Sequence, residues 1–120
     1  MNALKERIEI LRESDQITEL TEQKLSEYIE GFDIRFNYSL TEDNASALIT
    51  HLAIAMSRIQ SGNIVNPLDD CIVNDLKSNP KLDEVEILYA DLCQRVDVEF
   101  PEAEKWFIMA HLSVLNEKMK

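Results

Sequence analysis

The stretch Thr41-Glu42-Asp43-Asn44-Ala45-Ser46-Ala47-Leu48-Ile49-Thr50-His51-Leu52-Ala53-Ile54-Ala55-Met56-Ser57-Arg58-Ile59-Gln60-Ser61-Gly62 decides the fold. Ala45, Leu48, Ile49, Leu52, Ala55, Met56 and Ile59 recur three and four residues apart, the period of a helix with one buried side. Thr41 is a natural N-cap, and Glu42 and Asp43 set negative charge on the positive end of the helix dipole. Gly62 marks the C-terminal stop. Strand signals are nearly absent elsewhere: no long β-branched alternation occurs, and no Asn-Gly or Asp-Gly hairpin turn. Two glycines and three prolines punctuate 120 residues. The chain therefore reads as all-α.

Outward from this helix the same period recurs. About Asn2 to Glu13, Leu4, Ile8 and Leu11 line one side of a short, highly charged segment that needs a docking surface to persist. Leu20, Leu25, Tyr28, Ile29 and Phe32 predict a helix that starts after Thr18 or Thr21 and ends near Gly31. The link Asp33 to Leu40 reads as irregular, with Phe36 and Tyr38 pinned to the core. Asn66-Pro67 reads as a cap followed by a first-turn proline, opening a shorter helix to about Lys77. Ser78-Asn79-Pro80 breaks the chain again. A helix from near Lys81 carries Val85, Leu88, Tyr89, Leu92, Cys93 and Val96. Phe100-Pro101-Glu102 opens the last helix, with Glu102 and Glu104 in its first turn and Lys118 and Lys120 near its end.

Composition narrows the function. The net charge of −11 repels phosphate backbones and acidic headgroups, so direct nucleic-acid or membrane binding is not expected. Lys and Arg are scattered. Cys71 and Cys93 lack metal-ligand spacing and read as two buried thiols in a reducing cytosol. No apolar run approaches the roughly 20 residues that span a bilayer. No glycine-rich phosphate loop, nucleophile elbow or Cys-x-x-Cys is present, and no cofactor is implied. Trp106-Phe107 reads as core. Glu84, Glu86, Asp91, Asp97 and Glu99 read as solvated helix faces.

The two histidines remain. His51 and His111 are each the lone imidazole of a strongly apolar helical segment, and each is followed at once by Leu. A neutral imidazole nitrogen is a good nucleophile near neutral pH. Residues seven apart differ by about 20° around a helix, so His51 shares its line with Arg58, and His111 with Glu104. A histidine that accepts a phosphoryl group needs a neutral nitrogen, a group that orients the ring and a cation that steadies the phosphate. Arg58 could offer the cation and Glu104 the orienting carboxylate. On the pattern alone, a lone histidine beside an apolar stripe is more often a structural residue with its ring nitrogens satisfied. A metal site is disfavoured, because His-x-x-His and Glu-x-x-His spacings are missing. A helical hydrolase fares worse still, for no single segment brings nucleophile, base and orienting group together.

Together the histidine segments resemble the phosphotransferase-system regulation domain, or PRD, the regulatory part of bacterial sugar-operon antiterminators and related activators. The first resemblance is Ile49-Thr50-His51-Leu52, then small apolar residues, Arg58, Gly62 and Asn66-Pro67-Leu68. The second is Phe100-Pro101-Glu102-Ala103-Glu104 leading into Phe107-Ile108-Met109-Ala110-His111-Leu112. It spans about residues 20 to 118.

The resemblance implies a stand-alone single domain, residues 20–120, folded as a compact five-helix bundle. Residues 1–19 would form an additional N-terminal helical arm. The five helices would begin near Thr21, Glu42, Pro67, Lys81 and Glu102. His51 and His111 would be phosphoacceptors, with Arg58 and Glu104 close to them. The donor would be the histidine-phosphorylated carrier protein of the sugar phosphotransferase system or a sugar-permease B subunit. The output would be altered dimerisation, most simply of a homodimer, or binding of a separate effector, in transcriptional regulation of carbohydrate use. The alternative is a non-phosphorylated helical interaction module of the same fold. Either would be a cytoplasmic protein without turnover chemistry. In relatives, such domains are usually paired and joined to a small nucleic-acid-binding module.

Overall fold

The computed structural model describes residues 3–62 and 69–119. Among them are six helices and no strand: α1 (Ala3–Glu13), α2 (Glu19–Phe36), α3 (Glu42–Ser61), α4 (Asp70–Lys77), α5 (Leu82–Val96) and α6 (Glu102–Lys118). The all-α reading holds, but the count is six, not five. The chain divides into two compact units, Met1–Asn63 and Ile64–Lys120.

In the first unit α1, α2 and α3 pack on one another. Leu4 and Ile8 of α1 are fully buried, so the first segment is an integral helix of this unit. Burying each such side chain contributes about 1.5–3 kcal/mol, which is what a short charged helix needs. Ion pairs tie α1 to its neighbours: Lys5 to Glu30, Arg7 to Glu42, and Arg12 Nε to Glu22 at 2.7 Å.

Thr18 caps α2, its hydroxyl accepting from the Thr21 amide at 3.1 Å. The helix runs five residues beyond Gly31 and ends at Asn37 in the left-handed conformation. Gly31 does not stop it. The Arg35 guanidinium folds back over this glycine, where a methyl group would displace it, and lies 5.8 Å from the centre of the Tyr28 ring. Tyr28, Phe32 and Phe36 form an aromatic ladder along α2. Leu20, counted with the apolar stripe, is 57 % exposed.

Helix α3 starts with a reciprocal cap. Thr41 Oγ1 accepts from the Asn44 amide and Asn44 Oδ1 accepts from the Thr41 amide. It ends at Gly62, whose φ of 75° suits a residue without Cβ. The core-facing residues read from the sequence are buried except Ile59, which is half-buried.

In the second unit α6 packs against α5 and α4. Helix α4 is capped by Asp69, and the expected Asn66-Pro67 start lies outside the described residues. It has no buried residue, although Val73 and Leu76 are half-buried. For the same reason Cys71 is exposed rather than buried, and Cys93 is half-buried; both thiols are free. Lys77 of α4 lies 5.4 Å from the Trp106 ring of α6. Val85, Leu88, Leu92 and Val96 are the buried residues of α5, and Ile108, Met109 and Leu112 of α6 are fully buried. Trp106 is buried, as expected of a core residue, whereas Phe107 is only half-buried.

Candidate functional site

His51 sits mid-way along α3, half-buried, and its Nε2 is a buried atom. The buried side of α3 starts next to it with Leu48, Leu52 and Ala55, while Ala47 and Ile54, on the line of the histidine itself, are exposed. Arg58 is two turns on along this line, half-buried, with a buried Nε. Since 3.6 residues make a turn and each rises 1.5 Å, the two side chains start about 10.5 Å apart along the axis. Thr50, the residue before His51, holds a buried hydroxyl.

His111 occupies the matching place on α6. It too is half-buried, with Leu112 and Ile108 buried on one side and Val114 56 % exposed on the other. Burial lowers the pKa of its imidazole from the ordinary histidine value, because hydrocarbon around the ring disfavours the charged form. A neutral ring keeps a lone pair on one nitrogen. Glu104, two turns earlier, is 2 % exposed. Such a carboxylate tolerates burial better in the first turn of a helix, where the dipole is positive. Phe107 lies between them, one turn before His111.

Each histidine shares its helix, and so its unit, with the charged residue seven positions away: His51 and Arg58 on α3, Glu104 and His111 on α6. Two supporting residues were not apparent from the pattern. Asn79 donates from Nδ2 to Ser113 Oγ at 3.2 Å, while its Oδ1 accepts from the Lys81 amide at 2.9 Å. The α4–α5 turn is thereby fixed to α6 two residues beyond His111. Asn116, buried, donates to Glu84 at 3.4 Å and joins α6 to α5. The signal for the first was present, since Asn before Pro in Ser78-Asn79-Pro80 favours a side-chain-closed turn; its partner on α6 was not readable. Among the described residues no cluster of three or more His, Cys, Asp or Glu could hold a metal ion, and no helix is long and apolar enough to cross a membrane.

The family model of the PRD domain matches residues 26–115, three quarters of the chain, and the chain belongs to this family of phosphotransferase-system regulatory domains. The matched region begins inside α2 and ends inside α6, with α1 outside it. Neither a curated protein nor a solved structure matched the chain.

Proposed function

We propose that this protein is a phosphorylation-responsive regulator that accepts a phosphoryl group on His51, His111 or both. The donor is the histidine-phosphorylated carrier protein of the sugar phosphotransferase system or a sugar-permease B subunit. The output is a change in homodimerisation or in binding of a separate effector, in transcriptional control of carbohydrate use. The protein works in the cytoplasm as a regulated substrate, without turnover, and touches neither nucleic acid nor membrane directly.

The half-burial of both histidines carries this reading: neither residue belongs to the fully buried core. The depressed pKa of His111 supports it, since only the neutral ring attacks phosphorus. Arg58 is the cation for the phosphate on His51, and Glu104 the carboxylate that orients a ring. A phosphate adds about −1.5 to −2 charges at neutral pH, enough to repel or recruit a subunit across a helix contact.

The test is direct. The full chain is incubated with phosphoenolpyruvate and the purified general relay proteins, then with a phosphorylated permease B subunit, and acid-labile phosphate is measured. Labelling that falls in His51→Ala or His111→Ala and disappears in the double variant is expected, with a change in mass by light scattering on phosphorylation. A chain that no donor labels is an interaction module only.

A further inference from the structure

Residues 14–18, which join α1 to α2, contain neither glycine nor proline. The chain turns back there through Asp15 at φ 61°, a left-handed conformation that a residue with a Cβ adopts only at a cost. The apolar period runs on through this link. At about 3.6 residues per turn, Leu4 and Ile8 of α1 and all five buried residues of α2 fall within one arc of about 160°, as in a single helix with one buried side. Across the turn α1 lies antiparallel to α2, since Lys5 pairs with Glu30 and Arg12 with Glu22. Arg7 reaches α3, its Nε donating to both carboxylate oxygens of Glu42 at 3.0 and 3.2 Å. Helix α1 lies outside the region that the family model matches, yet Leu4 and Ile8 are fully buried. The face of α2 and α3 beneath them therefore requires an occupant.

We propose that two copies of this chain exchange α1, each supplying the helix that fills the α2–α3 face of the other. The exchange goes beyond the phosphoacceptor reading, needs no phosphate and specifies how a homodimer is built. Asp15 leaves the left-handed region, the link becomes helical, and α1 continues the line of α2. The pairing of Lys5 with Glu30 and of Arg12 with Glu22 sets the register, which puts the twofold axis beside Ile17 and Thr18. The contacts that α1 makes in the closed chain are remade with the second copy, including burial of Leu4 and Ile8, and the turn is relieved. Charge favours this face for self-association. Two chains of net charge −11 repel one another, but here Lys5, Arg7 and Arg12 of one copy meet Glu30, Glu42 and Glu22 of the other.

The experiment is complementation between copies, with full-length chains. Arg7→Glu and Glu42→Arg each place like charges across the α1–α3 contact. The two variants are purified separately, mixed, passed through partial urea unfolding so that α1 can exchange, and measured by native mass spectrometry and light scattering. In an exchanged dimer of one with the other, both contacts regain opposite charges. The mixed dimer is expected to exceed either parent homodimer roughly five- to tenfold. The chain carrying both substitutions, in which the closed contact is restored, and circular dichroism of each variant check that the helices form. The link supplies a second measurement. Asp15→Gly accepts the left-handed turn freely and is expected to lower the dimer fraction, whereas Asp15→Ala favours the continuous helix and is expected to raise it. A mixture that contains only the species of the separate chains, an equal dimer fraction in the two Asp15 variants, or an Asp15→Ala chain that stays monomeric across a wide range of protein concentration overturns the exchange. Phosphate labelling of the same proteins is read separately: labelling without exchange leaves the phosphoacceptor reading standing, and a mixed dimer without labelling leaves the exchange standing.

Discussion

The two units reach three helices by different means. In the first, every helix contributes fully buried side chains: Leu4 and Ile8 from α1, Leu25, Tyr28 and Phe32 from α2, Ile49, Leu52 and Ala55 from α3. Side chains close the N-termini of α2 and α3, and three ion pairs fasten α1. In the second, α5 and α6 begin without a side-chain cap, and α4 has no buried residue. Its attachments are the Lys77–Trp106 contact, the Asn79–Ser113 hydrogen bond and half-buried Val73 and Leu76. His51 therefore stands on a well-braced helix. His111 stands on one whose neighbour α4 is lightly held, so a charge added there meets less resistance to rearrangement.

The contrast makes its largest prediction for core truncation. Leu52→Ala should cost about 2–5 kcal/mol, as for other fully buried leucines, whereas Leu76→Ala on α4 should cost well under half as much. Urea unfolding with slopes compared between variants measures both. Equal losses would mean that α4 is braced as firmly as α3. Next in size is the cap: Thr41→Ala should cost about 1 kcal/mol, because the Asn44 amide loses its acceptor and the reciprocal bond loses its geometry. Native-state hydrogen exchange supplies the finer comparison. Amides of α4 should exchange fastest among the six helices, since an eight-residue helix with no buried side chain is marginal by itself.

The helices were legible in the sequence because their apolar period is strong, and the ends of α3 because Thr41 and Gly62 are unambiguous caps. The end of α2 was misread because glycine breaks helices on average, whereas Gly31 makes room for the Arg35 guanidinium within one. The surface on which α1 docks was not legible for a related reason. A short charged segment shows its own apolar line but not the surface that receives it, and the ion pairs from Arg7 to Glu42 and Lys5 to Glu30 join residues far apart in sequence. Cys71 was misjudged because composition ranks cysteine among buried residues, while α4 offers no buried position. At the site, the placement of each histidine on one helix line with a charged residue followed from the seven-residue spacing alone. The half-burial of the two residues did not, because it depends on which neighbours cover that line of the helix.

The smallest expected effect is the most informative about His111. Burial lowers its pKa below the ordinary value of about 6.5. Well above pH 6.5 the ring is neutral in both folded and unfolded chains and has no influence on stability. As pH falls through 6.5 the unfolded chain binds the proton first, so stability declines until the folded pKa is passed. Glu42, held below its ordinary pKa by hydrogen bonding and charge from Arg7, acts in the same direction but only at more acidic pH. Unfolding midpoints between pH 7.5 and 5 should therefore drop in the wild type and drop less in His111→Gln, and a proton NMR titration should place the His111 midpoint below 6.5. The same shift leaves more of the His111 rings neutral at mildly acidic pH than an ordinary histidine keeps. Labelling of His111 in His51→Ala should consequently fall off with a midpoint below 6.5, and a loss that follows a midpoint of 6.5 or above would show that burial of the ring does not protect its lone pair.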